Sequence, residues 1–193
     1  MLNLLLLGPQ GSGKGTQAKR ICAAHGIPHI STGDMFRAAI AAGTSLGKQV
    51  EPILASGELV PDELTVALIR ERLAEDDARE GFVLDGFPRN LDQAAALDAM
   101  LSEIDRELDA VLYFDLSDEL ATERLHGRAA LEGRPDDSSE AIARRLAIYH
   151  EQTEPIVEHY RELHALVDLA AERSVDEVFA QIEDALTSLP SAS

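Results

Sequence analysis

The apolar positions fall into short unbroken runs separated by longer amphipathic stretches, and that contrast sets the first expectation about the fold. Residues 2–7 form such a run and end at Gly8. A run this short, without polar alternation, reads as a strand buried on both faces, as in a parallel sheet. Residues 82–84, 110–114 and 165–169 repeat the pattern, and a briefer version centres on Ile30. Residues 14–24 carry helix formers and close at Gly26 and Pro28. Residues 34–42, 46–56 and 62–73 are also predicted helical, separated by Gly43, Gly57 and Pro61. No strand interrupts these three, so they read as an insertion.

Asn90 is placed to cap a helix reaching about Leu101, and Ser117 to cap one running to His126, with Gly127 as its stop. A polar loop to Ser139 follows, then helical stretches at 140–151 and 156–163 broken at Pro155. Ser174, with Glu177 three residues on, makes a capping box for the last helix, and the tail from Pro190 to Ser193 is expected to be loose. Strands alternating with helices predict an α/β fold, a parallel five-stranded sheet covered by helices. With 193 residues, a single domain is expected.

Composition narrows the ligands. Hydrophobic residues at 45% and charged residues at 27% are ordinary for a globular chain. The net charge of -18 argues against nucleic acid and against a membrane surface, because both are polyanions that call for a basic face. An anionic ligand would therefore need a local cationic pocket. Among the 17 basic residues only Lys14, Lys19 and Lys48 are lysines. The rest are arginines, whose planar fork suits bidentate contact with oxyanions. Cys22 is the one cysteine, so neither an intrachain disulfide nor a thiolate zinc site can be assembled. No apolar stretch approaches the ~20 residues that span a bilayer, no basic region precedes the opening run, and a cytoplasmic location is expected.

The segment from Gly8 to Lys14, Gly-Pro-Gln-Gly-Ser-Gly-Lys, fits G-x-x-x-x-G-K between a predicted strand and a predicted helix. Glycines such as Gly11 and Gly13 let backbone N–H groups, that of Ser12 included, converge on phosphate oxygens. The helix start adds partial positive charge, and Lys14 can bridge the outer phosphates. Gly15 occupies the position where a Ser or Thr would ligate magnesium, and Thr16 follows one residue later.

With its Gly-Lys-Gly-Thr run the chain resembles the nucleoside monophosphate kinases, the adenylate kinase branch in particular. The resemblance extends over nearly the whole chain and implies the P-loop kinase fold. It implies reversible transfer of a phosphoryl group from Mg·ATP to AMP, giving two ADP by direct in-line attack, with magnesium held mainly by phosphates and waters. The run Ser31-Thr32-Gly33-Asp34-Met35-Phe36-Arg37 is similar to the family's acceptor segment. Independently of that likeness, a hydroxyl at Thr32 and a guanidinium at Arg37 about a turn apart could hold a base edge and a monophosphate. The run Asp85-Gly86-Phe87-Pro88-Arg89 is similar to the second family motif, at a strand end where ligand crevices form. There the resemblance implies Asp85 as an outer-sphere magnesium partner, Gly86, Phe87 and Pro88 beside the acceptor, and Arg89 on its phosphate. It also implies that Glu58, Leu59 and Val60 line the acceptor pocket partly through backbone, with the Glu58 side chain pointing away.

Two positions separate AMP kinases from the similar UMP/CMP kinases in this resemblance, and Thr32 and Gln93 both favour AMP. A carboxamide at Gln93 can accept from the adenine amino group and donate to the adjacent ring nitrogen. Asn90 after Arg89 is common in pyrimidine-nucleotide relatives and keeps the UMP/CMP alternative open. A P-loop switch or ATPase is a remoter alternative, without an Asn-Lys-x-Asp guanine signature in the chain.

Arg124 and Arg128 are spaced i, i+4, Arg134 follows across a short loop, and Arg145 faces back from the next helix. The resemblance assigns Arg124 and Arg128 to ATP, Arg134 and Arg145 to the phosphate pair, and a backbone contact with the ATP base to Arg173. The remaining arginines at 20, 70, 72, 79, 106, 144 and 161 read as salt-bridged surface residues, and the histidines as structural or surface groups. The short segment 127–137 resembles the short-lid branch, without the insertion that some members fill with zinc. The expected layout is a core of 1–30, 61–126 and 138–193, an acceptor-binding insertion at 31–60 and a lid at 127–137, in a monomer.

Overall fold

The computed structural model describes residues 1–132, 138–163 and 165–189. Five strands form one parallel sheet: β1 (Leu2–Leu7), β2 (His29–Ser31), β3 (Gly81–Asp85), β4 (Ala110–Asp115) and β5 (Leu166–Ala170). Their spatial order is β2-β3-β1-β4-β5. The opening apolar run is thus the central strand, with Leu5 paired to Leu84 on one side and to Val111 on the other.

Strand alternation divides the core between the two faces of the sheet. Leu4 and Leu6 pack with Ala18 and Ile21 of α1 (Lys14–His25) and with Val178 and Ile182 of α9 (Val175–Thr187). Leu5 and Leu7 face Ile69 of α4 (Asp62–Leu73), Leu97 of α5 (Leu91–Ser102) and Tyr160 of α8 (Glu154–Glu162). All four leucines are almost wholly buried, which is why the run carries no polar alternation. A smaller third cluster of Phe36, Val50 and Val60 joins α2 (Thr32–Ala41) and α3 (Ser45–Ser56). Leu64 and Leu68 of α4 pack against it, so these three helices share a small core apart from the two under the sheet.

The caps fall where the side chains allow. Asn90 accepts from the Gln93 backbone N–H, Ser117 from that of Leu120 at 3.4 Å, and Ser174 and Glu177 form a reciprocal capping box. Two expectations are corrected. Gly127 does not stop its helix: α6 spans Asp118–Glu132. A helical glycine costs about 1 kcal/mol relative to alanine, and the helix formers Arg128 to Leu131 beyond it carry the helix on. Pro155 does not break the chain into two separated helices either. Helix α7 (Ser139–Ile148) runs through a π-helical turn, Tyr149–Thr153, directly into α8, where Pro155 sits in the first turn and its missing N–H is harmless. The rest of the expected lid, Arg134 included, and the 190–193 tail lie outside the described residues.

Most arginines read as surface residues are paired as expected: Arg20 with Asp176, Arg70 with Glu103, Arg72 with Asp77, Arg79 with Asp76, Arg144 with Glu58 and Arg161 with Asp168. Arg106 differs. It is held by Asn3 and the Ala78 carbonyl, with its guanidinium over the Phe82 ring.

Candidate functional site

The carboxyl ends of β1, β2 and β3 open onto one cleft of about 350 Å³, the place where open parallel sheets bind ligands. The loop after β1 forms its floor. Gly8 (φ +139°) and Gly11 (φ +84°) pack so closely that an added Cβ would lie 2.7 Å from the Phe114 carbonyl and 2.8 Å from the Ala121 carbonyl. Only glycine fits there, and the loop is pressed onto β4 and α6. Gly13, also left-handed, caps α1. Lys14 folds back over the loop, its Nζ donating to the Gly8 carbonyl at 2.8 Å, the Pro9 carbonyl at 2.7 Å and Ser12 Oγ at 3.3 Å.

Burial pushes the Lys14 ammonium down to about 8. Nearby Asp85 opposes the shift, while Arg89, Arg145 and Arg128 add to it. Three guanidiniums from different elements, the loop after β3, α7 and α6, therefore bear on one ammonium. Positive charge gathered around Lys14 in this way favours an anionic ligand in the cleft. Gly15 and Thr16 line the same cleft, as do Arg37, Asp85, Pro88 and Arg124.

Beside the cleft lies a recess of about 30 Å³, lined by Thr32, Glu58, Leu59, Val60 and Gln93, and the two share Gly33, Gly86 and Arg89 as a common wall. The Thr32 hydroxyl donates to the Gly86 carbonyl at 2.8 Å, which ties α2 to the loop after β3 and leaves its oxygen to accept. Gly86 has φ +81°, and a Cβ there would come within 2.8 Å of Thr32 Oγ1. Arg89 is held by its own backbone and stem: its N–H donates to Gln93 Oε1 at 2.8 Å, its carbonyl accepts from Thr153 Oγ1 at 2.7 Å, and its Nε donates to the Gly86 carbonyl at 2.8 Å. Arg37 Nη2 bonds Asp34 at 2.6 Å.

Some expected residues sit differently. The Arg124 guanidinium donates to the Ala171 and Glu172 carbonyls, so it braces α6 against the chain after β5 while edging the cleft. Arg173 is exposed and lines neither space. Phe87 is fully buried in the core and lines neither space. The Glu58 side chain does point away, toward Arg144 Nε at 2.7 Å. Asn90 turns from the recess as well, since its Oδ1 caps α5 and its Nδ2 donates to Asp62. The feature that kept a pyrimidine acceptor open is thus spent on structure.

Sequence reasoning missed Lys19, His29, Tyr149 and Thr153, all of which line the cleft. His29, expected to be a structural or surface group, places Nε2 3.3 Å from Asp85 Oδ2. Tyr149 and Thr153 face the cleft because the π turn widens the helix between them, and such turns recur at functional sites. The pattern of helix formers around Pro155 hid that turn.

Residues 6–165 match the family model for adenylate kinase. An adenylate kinase from Parvibaculum lavamentivorans is 48% identical over 188 residues, covering 96% of this chain and 92% of that protein. One from Xanthomonas campestris pv. campestris is 46% identical over 96% of this chain and 99% of its own length. One from Stenotrophomonas maltophilia is 47% identical over 94% of this chain and 97% of its own length.

Proposed function

The chain belongs to the adenylate kinase family, and we propose that its cleft and recess together carry the family's reaction, reversible phosphoryl transfer from ATP to AMP giving two ADP. The observation that carries this reading is the shared wall at Gly33, Gly86 and Arg89. It joins a glycine-rich floor with arginines around it to a smaller recess lined by Thr32 and Gln93. ATP lies with its phosphates along residues 11–16, and Lys14 and Arg128 face its outer phosphates. AMP lies with its base in the recess against Thr32, Leu59, Val60 and Gln93, and its phosphate meets Arg37, Arg89 and Arg145. Arg134, outside the described residues, joins the clamp by resemblance.

Transfer of this kind leaves little covalent work for protein groups, so positioning and charge stabilisation lower the barrier. An AMP phosphate oxygen attacks the γ-phosphorus in line, and no residue forms an intermediate. The arm of residues 31–60, packed on α4 through a small cluster, closes over the acceptor and keeps water from competing with it.

Magnesium accompanies ATP in this reading. Among the described residues no group of three or more His, Cys, Asp or Glu side chains could hold a metal. The carboxylate of Asp85 at the cleft, braced by His29, fits an ion that keeps its waters and phosphate ligands and meets the protein through a water. When bound, such an ion neutralises charge developing on the phosphates. A monomer acting in the cytoplasm completes the proposal. A chain with one cysteine, Cys22, suits a reducing compartment, and no described helix is long and apolar enough to cross a membrane.

The test offers ATP with AMP, CMP, UMP, GMP or water and scores the diphosphate product. AMP is expected to exceed every other acceptor by about 10²-fold or more, because a recess built to hydrogen-bond one base edge leaves polar groups unpaired with another. Faster use of UMP or CMP would replace the reading with a pyrimidine nucleotide kinase. Acceptor-independent phosphate release would replace it with an ATPase or switch.

A second expectation concerns pH. The Lys14 ammonium titrates at about 8 in the free protein, and bound phosphates hold its proton and raise that value. ATP affinity is therefore full below pH 8 and falls above it, approaching tenfold per pH unit, because binding must take up the missing proton. Calorimetric titration between pH 7 and 9.5 should show this slope, and Lys14→Met should abolish it. A flat profile in the unsubstituted protein would remove Lys14 from the phosphate contact.

A further inference from the structure

Asp62 opens α4 and holds two amides at once. Its Oδ1 accepts from Gln93 Nε2 at 2.6 Å, and its two oxygens accept from Asn90 Nδ2 at 3.0 and 3.1 Å. Gln93 is 2% exposed and lines the recess. The other end of its amide is fixed as well, with Oε1 accepting the Arg89 backbone N–H at 2.8 Å. A carboxylate can only accept and a backbone N–H can only donate, so these two partners allow one orientation of the amide and forbid its flip. Each partner uses one of the amide's two hydrogens or two lone pairs. One N–H and one lone pair remain, in a fixed order.

We infer that Asp62 is a positioning residue that determines base specificity: by locking the amide of Gln93 it makes the recess accept a 6-aminopurine and refuse a 6-oxopurine. The inference rests on the reading of the recess as the acceptor-base site. Adenine presents an amino donor beside a ring-nitrogen acceptor, the complement of the remaining lone pair and N–H. Hypoxanthine and guanine present a carbonyl beside a ring N–H, so the locked amide sets oxygen against oxygen and hydrogen against hydrogen. A free amide would flip and accept both, whereas a locked one discriminates by repulsion as well as by attraction. Asn90 completes the device. Its Oδ1 caps α5 through the Gln93 N–H at 2.8 Å, while its Nδ2 keeps the Asp62 carboxylate across from Gln93.

The test compares kcat/KM for AMP and IMP in three variants, with thermal unfolding as the check on folding. Asp62→Asn keeps the shape of the side chain, but an amide at this position can donate as well as accept, so Gln93 is released. The AMP:IMP ratio is expected to fall about tenfold or more, the discrimination that one charge-assisted hydrogen bond supports, with kcat/KM for IMP rising in absolute terms. Asn90→Ser retains a capping oxygen but loses the contact to Asp62. It should narrow the ratio in the same direction by roughly two- to fivefold, as loss of one ordinary hydrogen bond would, and it carries the test if Asp62→Asn does not fold. Equal proportional losses for both acceptors would reduce Asp62 to a structural prop and overturn the inference. Gln93→Ala separates the two levels. A ratio that survives Gln93→Ala sinks the base-site reading, and one that collapses there but not in Asp62→Asn sinks only the role of Asp62.

Discussion

Lys14→Met is expected to lower kcat/KM for ATP by about 10³-fold or more while leaving the protein folded. The loop does not depend on Lys14 for its shape, because Gly8 and Gly11 are already pressed against backbone carbonyls of β4 and α6. Methionine keeps the length of the stem and loses the charge. Nor should the melting temperature drop. The Lys14 pKa is lowered on folding, so at pH 7 the charged form is disfavoured in the folded state, and removing it removes that penalty. What is lost is an ammonium near Arg89, Arg128 and Arg145, the group that the proposed function sets against the γ-phosphate charge. The contact strengthens as that charge shifts in the transition state, so the defect should fall mainly on kcat. Coupled ADP assays beside a thermal melt are the check, and near-normal turnover by a folded variant would discard the phosphate-cradle assignment.

How much of this was legible in the chain follows from which forces act locally. Strand β1 and its loop were readable because burial on both faces forbids polar alternation, and because the turn demands glycine at Gly8 and Gly11. The Asn90 cap and the Ser174–Glu177 box were readable because each is a contact across three residues. Gly127 and Pro155 misled because the preferences they express are small and conditional. A glycine deters a helix by about 1 kcal/mol only, and a proline is excluded from a helix interior but not from a first turn.

The site residues belong to a third kind, set by contacts between distant segments. Nothing near Arg124 in the chain says that its guanidinium will grip the carbonyls of Ala171 and Glu172. Nothing near His29 says that Asp85 will stand beside it. Motif likeness named many of the residues that line the cleft and the recess, while the groups that hold them, Asp62 and Thr153 among them, are visible only in the fold.

Arg89→Lys carries that distinction into an experiment. The substitution keeps the charge, so a reading based on charge alone expects little change. The structure expects a large one. The Arg89 backbone is pinned on both sides by Gln93 and Thr153, and its Nε is docked on the Gly86 carbonyl, so the end of the guanidinium is presented in one plane at the wall between recess and cleft. An ammonium at this position has neither the Nε anchor nor the fork that spans two phosphate oxygens. We expect kcat/KM for AMP to fall by about 10³-fold, roughly 4 kcal/mol of transition-state stabilisation. ATP affinity should stay within a few-fold, since the proposed function sets the AMP phosphate, rather than ATP, against Arg89. Arg70→Lys is the matched control, because its partner Glu103 lies on the surface and exposed pairs contribute at most about 1 kcal/mol. Steady-state kinetics with each substrate varied in turn will separate the cases. A loss below tenfold, or one that falls on ATP affinity instead of on AMP turnover, would move Arg89 away from the point where the two nucleotides meet.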